Sequence, residues 1–369
     1  MKRLGVLGGG QLGRMMAQAA SRLGVPVCVF TPEADSPALQ VAPHGVIADY
    51  TDTTALKVFA EQVDAVTLEF ENIPVAAVEA LSQWVPVRPG ATVLATAQNR
   101  LREKGTLSQA GFPVTPFAPV LSVADLPNTV QRVGFPAVLK TSDSGYDGKG
   151  QCRVQTLSEA DAAFRALGEV PCVLEGWVSL AREVSVIVAR TAWQLVDYGV
   201  IENVHRNHIL HTSVAPGSAT SLQAVQIARD IAVHLQLEGV LCVEFFEDVA
   251  GQLMVNEMAP RPHNSGHLTI EGCVTSQFEQ QVRAALNWPL GPTEFLAPHA
   301  AMVNLLGDLW GCGEPDWPGL LAAFPTIKLH LYGKPEARPG RKMGHLTAVG
   351  PAALETVQAA FQWLADRTP

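Results

Sequence analysis

The chain has 369 residues, with 26 Lys+Arg against 35 Asp+Glu for a formal net charge of −9, and 47% hydrophobic against 17% charged residues. That balance excludes a disordered or fibrous chain, and the length provides for two or three domains. An acidic pI near 5.6, without a long Lys/Arg block, argues against broad contact with nucleic acid or anionic lipid and makes small molecules the expected partners.

The amino terminus leads through Lys2 and Arg3 into an apolar run that Gly8-Gly9-Gly10 closes, too short for a signal-peptide core. No apolar run approaches the roughly 18 residues of a membrane span, and a cytoplasmic protein without membrane contact is expected. Residues 2–7 read as a strand, 11–23 as a helix and 27–30 as a second strand. A strand at 65–68 and a helix near 75–83 continue the rhythm of a parallel sheet, placing an α/β domain over residues 1–98. A charged helix over 99–110, stopped by Gly111 and Pro113, opens the next unit. β-rich runs at 137–140, 173–175, 184–189, 195–200, 240–246 and 253–257 predict α+β structure on antiparallel sheets, a second domain over 99–291. Prolines and glycines then punctuate a small third domain, 292–369, of short strands and a last helix near 353–364. The six cysteines, Cys28, Cys152, Cys172, Cys242, Cys273 and Cys312, form no close pair, so reduced and mostly buried thiols are expected.

Residues 8–13 fit G-x-G-x-x-G between strand and helix, where backbone N–H groups and the helix dipole favour an anion. Glu33, about 20 residues on, stands where a dinucleotide fold keeps its ribose-binding acid, so an NAD-dependent oxidoreductase is one reading. Glycines that merely let strand and helix pack closely are another. Residues 141–151, with three glycines and Lys149 behind Lys140 at a strand end, form a loop able to fold over a polyphosphate. The P-loop spacing is absent. Glu244 and Glu257 sit inside apolar runs that read as neighbouring strands. Two carboxylates facing each other in an apolar sheet need a cation, an arginine or a proton, and such pairs are typical magnesium ligands. Glutamates on a solvated sheet face are the plainer reading. Arg261 and His263 follow in a donor-rich loop able to hold a small oxyanion. His205, His208 and His211 recur every third residue, but no cysteine or carboxylate completes a transition-metal shell. Residues 338–345 concentrate basic groups in a Pro/Gly-shaped loop, either an exposed turn or an anion-capturing element at a domain interface.

Five segments, GGGQLGRM (8–15), EFENIP (69–74), GYDGKGQ (145–151), NEMAPRPHNSGH (256–267) and RPGRKMGH (338–345), together resemble the ATP-grasp superfamily. Within it they resemble the ATP-dependent 5-(carboxyamino)imidazole ribonucleotide synthases of purine biosynthesis. The resemblance spans nearly the whole chain. It implies a Rossmann-like pre-ATP-grasp domain, a central ATP-grasp pair closing on nucleotide and a small β-rich C-terminal domain. It implies that Arg100, Lys140 and Lys149 contact ATP phosphates under a lid that includes Gly145, Tyr146, Asp147, Gly148, Gly150 and Gln151. Glu175, Gly176, Trp177 and Val178 would form the adenine hinge and Glu183 would hold the ribose, with His205 and Asn256 also at the nucleotide. Glu244 and Glu257 would ligate magnesium, or manganese in its place. Many ATP-grasp enzymes have Asn two residues after the second metal glutamate where this chain has Ala259, so the third ligand stays open.

For the ribonucleotide, the resemblance implies Gly10, Gln11 and Leu12 at the ribose or 5′-phosphate, and Glu69, Tyr146, Asp147, Arg338 and Lys342 at the aminoimidazole and its phosphate. Arg261 and His263 would stand beside bicarbonate, and Arg261, His263, Asp147 and Lys342 would carry catalysis. The implied reaction phosphorylates bicarbonate with ATP, and the resulting carboxyphosphate carboxylates 5-aminoimidazole ribonucleotide, leaving ADP and phosphate. A homodimer is implied as well. The rivals are another ATP-grasp ligase such as the formate-dependent glycinamide ribonucleotide transformylase, the NAD-dependent oxidoreductase, and a nucleotide sensor without turnover.

Overall fold

The computed structural model describes residues 2–143, 150–217, 221–311 and 313–367. Gly145, Tyr146, Asp147, Gly148 and Lys149 of the expected lid, and Cys312, lie outside the described residues.

β1 (Leu4–Leu7), β2 (Val27–Thr31), β3 (His44–Ile47) and β4 (Ala65–Leu68) form a parallel sheet in the order β3-β2-β1-β4. β1, β2 and β4 are buried along their whole length because helices cover both faces, which is why they are apolar without alternation. On one face α1 (Gln11–Arg22) delivers Leu12, Met15 and Met16, joined by Phe278 and Val282 from much later in the chain. On the other, α2 (Thr53–Ala60) and α3 (Val75–Ser82) deliver Phe59, Val78 and Leu81. The Asp52 carboxylate starts α2, accepting from the N–H groups of Thr54 and Ala55 at 3.0 and 2.9 Å.

α4 (Ala91–Gln98) leads to α5 (Arg100–Gln109), which Asn99 caps by accepting from the Arg102 N–H at 2.9 Å. A small antiparallel sheet follows, built from β5 (Phe117–Val120), β6 (Ala137–Thr141), β7 (Gln151–Val154) and β8 (Cys172–Gly176) in the order β5-β8-β6-β7. α6 (Leu126–Val133) and α7 (Leu157–Ala166) back it over a core that includes Leu139, Phe164 and Leu174.

The large sheet is antiparallel and eight-stranded. Its strands are β9 (Leu180–Arg190), β10 (Leu195–Arg206), β11 (Ile209–Ala215), β12 (Gly239–Asp248), β13 (Leu253–Ala259), β14 (Ala300–Leu306), β15 (Lys328–Leu331) and β16 (Lys342–Val349), in the order β13-β12-β9-β10-β11-β14-β16-β15. α8 (Ser221–His234), α9 (Thr269–Gly272), α10 (Gln277–Ala285), α11 (Trp317–Ala323) and α12 (Ala353–Ala365) complete the chain. The sheet runs on past residue 291, because β14 pairs with β11 along Thr212–Ala215 and so adds the C-terminal strands to its edge. The architecture is α/β at the N-terminus and antiparallel α+β beyond, as the runs of the sequence predict. Among the described residues no helix is long and apolar enough to cross a membrane.

Side-chain alternation on β9 sets the functional face. Val184, Val186 and Val188 point into the core under α8, so Glu183 and Ser185 share the opposite face with Ile187 and Ala189. Register carries that face across the sheet: Ser185 opposes Glu244, and Glu244 opposes Glu257.

Candidate active site

Where β1 and β4 end side by side, with Leu7 opposite Leu68, two loops emerge together. The glycine turn after β1 wraps the next residue after β4: the Glu69 carboxylate accepts from the Gly10 N–H at 3.0 Å and the Leu12 N–H at 3.3 Å. A Cβ on Gly8 or Gly10 would collide with that side chain. The glycines thus make room for a buried carboxylate, and the helix terminus expected to face a phosphate directly is engaged by Glu69, with Gln11 between the two committed amides. Burial raises the Glu69 carboxyl, against which the Gly10 amide, Arg261, the Leu12 amide and Lys334 all favour its charge.

Two residues on, Glu71 meets Arg261 in a fork: Arg261 Nε bonds one carboxylate oxygen and Nη2 the other, at 2.8 Å. Burial opposes the charge of Arg261, and Glu71 outweighs it.

At the small sheet, Lys140 Nζ lies 3.2 Å from Glu175 Oε2, and Lys104 of α5 reaches the same oxygen at 3.3 Å. Lys104 also donates to the Asn256 carbonyl at 3.1 Å, while Glu103 accepts from the Met258 N–H. Adjacent residues of α5 therefore hold the strand backbone on both sides of Glu257. Burial pushes Glu103 up to about 8 despite Lys104, and Glu257 adds to the rise. Arg100 donates to the Thr141 carbonyl at 3.1 Å, Gln151 opens β7 opposite Lys140, and the Gly150 carbonyl just before it accepts from the Thr141 N–H at 2.9 Å. In the expected hinge the N–H groups of Gly176 and Trp177 are committed to Pro116 and Pro136, at 2.8 and 3.0 Å, and Val178 follows.

On the large sheet Glu244 and Glu257 face each other across β12 and β13, at a register shift after Glu244. His263 Nε2 lies 3.0 Å from Glu244 Oε1. Burial would raise Glu244, but His263, His205 and Lys342 bring it down to about 2, whereas burial and the charge of Glu244 raise Glu257. Burial likewise opposes a charge on His263, and Cys242 and Glu244 outweigh it, so the imidazole stands above its ordinary range. His205 Nδ1 lies 2.9 Å from Glu183 Oε2 at the same sheet face.

Three family models match the chain in order: a ribonucleotide synthetase preATP-grasp domain over residues 1–98, an ATP-grasp domain over 105–278 and a phosphoribosylaminoimidazole carboxylase C-terminal domain over 300–359. The N5-carboxyaminoimidazole ribonucleotide synthase of Bacillus subtilis is 43% identical over 93% of this chain and 90% of its own. The chain belongs to the N5-carboxyaminoimidazole ribonucleotide synthase family. The crystal structure of the Thermus thermophilus synthetase matches with TM-score 0.89 and 41% identity, covering 99% of this chain and 98% of that one. The Aspergillus clavatus synthase, crystallised with ADP and 5-aminoimidazole ribonucleotide, matches with TM-score 0.88 and 32% identity over 99% and 98%.

In this member of the synthase family, the structure gathers Glu69, Arg261, His263, Glu244, Glu257, Lys342, Glu183 and His205 into one electrostatic neighbourhood. Arg338 stands apart: its side chain is 68% exposed and its carboxylate neighbour is Glu336, at 3.4 Å. The C-terminal cation that acts on Glu69 is Lys334; like Glu71, Glu103 and Lys104, it is not singled out by the patterns of the sequence. The histidine trio is split by a hairpin. His205 faces Glu183, Asn207 and His208 form the turn with φ of 51° and 64°, and His211 packs edge-on to Phe361 at 4.9 Å. Among the described residues no group of three metal-donor side chains converges.

Proposed function

We propose that the chain carboxylates the exocyclic amine of 5-aminoimidazole ribonucleotide with bicarbonate at the expense of ATP, in purine biosynthesis. The observation that carries this reading is the half-buried contact of His263 with Glu244, with Glu257 opposite Glu244 across the strands and Arg261 nearby in its fork to Glu71. Two facing carboxylates, one raised by burial and then by the charge of the other, fit a hard divalent cation. Glu244 and Glu257 would hold magnesium, with manganese as a substitute. When bound, the ion neutralises charge on a transferring phosphoryl group.

Lys140, Arg100 and the Gly150–Gln151 end of the lid approach the ATP phosphates, Glu183 and His205 the ribose, and Asn256 the nucleotide. Glu175 acts through its lysines, and Val178 presents the hinge backbone. A bicarbonate oxygen attacks the γ-phosphorus and ADP leaves. Arg261 and His263, held in place by Glu71 and Glu244, orient that oxygen and offset its charge. The carboxyphosphate so formed releases carbon dioxide and phosphate. The amine nitrogen bonds to the carbon, and its proton passes to phosphate or to Asp147. Glu69 faces the aminoimidazole, with Lys334 and Lys342 as cations for its 5′-phosphate and Gln11 at the ribose. Tyr146, Asp147 and Lys149 keep their implied lid roles.

The division into 1–98, 99–291 and 292–369 belongs to the same reading, as do a homodimer and a cytoplasmic location. Among the described residues Cys28, Cys152, Cys172, Cys242 and Cys273 are unpaired. The oxidoreductase reading loses its anchor, because Glu69 takes two of the amides that a pyrophosphate would need. ADP release is the deciding assay: it should require MgATP, bicarbonate and aminoimidazole ribonucleotide together. Release driven by formate and glycinamide ribonucleotide instead would select the transformylase reading, and binding without release would select the sensor.

A further inference from the structure

Behind His263 lies a buried polar cluster, Ser265, Ser185 and Asn203, that has no role in the reading above. His263 Nδ1 lies 2.9 Å from Ser265 Oγ, Ser265 Oγ lies 2.8 Å from Ser185 Oγ, and Asn203 Nδ2 donates to Ser185 Oγ at 2.9 Å. Ser185 and Ser265 are fully buried and Asn203 is 6% exposed. Buried hydroxyls cost free energy unless paired, and alanine at these positions would avoid that cost, so the cluster needs a reason to exist.

The path closes on itself. Ser185 is the register partner of Glu244, and Glu244 meets the other nitrogen of the same imidazole at 3.0 Å. A histidine held at one nitrogen can still swing about its broad terminal torsion, whereas one held at both has its ring plane fixed. The backbone of His263 is gripped as well: the Gln277 side chain accepts from its N–H at 2.8 Å and donates to its carbonyl at 2.7 Å. The loop has no slack here, since a Cβ on Gly266 would collide with Ile187.

We propose that Ser185, acting through Ser265, is a positioning residue for His263 and fixes the plane of its imidazole toward bicarbonate. This rests on the reading of His263 as a bicarbonate-side group. Holding such a group to within about 10–20° is what preorganised sites require, and by analogy with the outer partners of metal-bound histidines, whose loss costs about 10- to 100-fold in activity, a similar loss is expected here.

The test compares Ser185→Ala, Ser265→Ala and His263→Ala by two readouts: steady-state kinetics in bicarbonate and in MgATP, and the 15N resonances of His263 in histidine-labelled protein. Both serine variants should lower kcat/KM for bicarbonate by about 10-fold or more while KM for MgATP moves by less than about twofold, and the His263 Nδ1 resonance should shift. Ser265→Ala serves if Ser185→Ala fails to fold. Serine variants that match the parent in kinetics and spectrum, beside an impaired His263→Ala, would overturn the positioning role and leave His263 its own. Unchanged bicarbonate dependence in His263→Ala would overturn the reading of His263, and the proposal with it.

Discussion

Lys104 Nζ lies 3.3 Å from Glu175 Oε2 with the two side chains 1% and 3% exposed, an ion contact almost wholly out of water. Lys140 reaches the same oxygen at 3.2 Å and the Thr115 hydroxyl donates to it at 3.1 Å. Burial alone would raise this carboxyl; the two lysines reverse that and bring it from 4.5 down to about 2. The folded state therefore binds the proton more weakly than the unfolded chain. The contribution of Glu175 to stability is present above pH 4.5 and is lost as pH falls from there toward about 2. Glu175→Gln leaves two lysines facing each other in the interior and should cost about 3–5 kcal/mol at neutral pH. Urea unfolding at pH 7 measures the loss, and melts in acid should show a shallower decline than the parent. Equal stability of variant and parent would remove this cluster from the account.

Gly10→Ala tests the wrapped carboxylate. The added methyl collides with Glu69, so either Glu69 swings away from the Gly10 and Leu12 amides or α1 shifts. The expected stability cost is about 1–3 kcal/mol. The main effect should fall on the ribonucleotide: KM for aminoimidazole ribonucleotide rises by about 10-fold or more while KM for MgATP holds, as expected when one substrate's contacts alone are displaced. Parallel loss of both substrates would point to general damage instead.

Much of this was legible in the sequence, for identifiable reasons. β1, β2 and β4 are continuous apolar runs, and Glu244 and Glu257 stand out because each interrupts one. β3 is not legible because most of it is exposed, so no apolar pattern marks it. α2 had a usable signal in its Asp52 cap, followed by Thr53 and Thr54. β11 was hidden by the histidine spacing, which belongs to a hairpin: His205 lies before the turn, His208 within it and His211 after. Glu71, Lys104 and Gln277 were illegible because their partners, Arg261, Glu175 and His263, lie 190, 71 and 14 positions away, in other elements. Only packing brings such pairs together.

Glu257→Gln separates chemistry from folding. Burial and Glu244 both work against the charge of Glu257, so in the absence of metal the neutral amide should leave the fold intact or stabilise it by about 1 kcal/mol. Turnover in magnesium should nonetheless fall by about 100-fold or more, since a carboxylate ligand is gone. Thermal melts with EDTA and ADP release with magnesium read the two effects. Retained turnover would remove Glu257 from the metal site.

Lys342→Ala addresses the other substrate. Lys342 lies close enough to act on Glu244, His205 and His267, and it opens β16 beside the basic loop. If it serves the ribonucleotide, KM for aminoimidazole ribonucleotide should rise by about 10-fold or more with little change for MgATP. Equal loss of both would refute that role.

Glu71→Gln asks what the fork to Arg261 is for. The Arg261 side chain is 17% exposed and that of Glu71 27%, so the pair is only partly hydrated, and removing one charge leaves the other stranded. The amide keeps the shape but offers only one acceptor oxygen to two guanidinium donors. Glu69, the next carboxylate to act on Arg261, should then draw the guanidinium toward the glycine turn and away from bicarbonate. The expected result is a loss of about 2–3 kcal/mol in stability and a fall of about 10-fold or more in kcat/KM for bicarbonate. Arg261→Lys keeps a cation without the fork, so it should lose bicarbonate use by a similar factor at a smaller cost in stability. Urea unfolding and bicarbonate-dependent ADP release, run on both variants, separate charge from geometry. A Glu71→Gln enzyme with parental kinetics would show that Arg261 needs no partner to face its substrate.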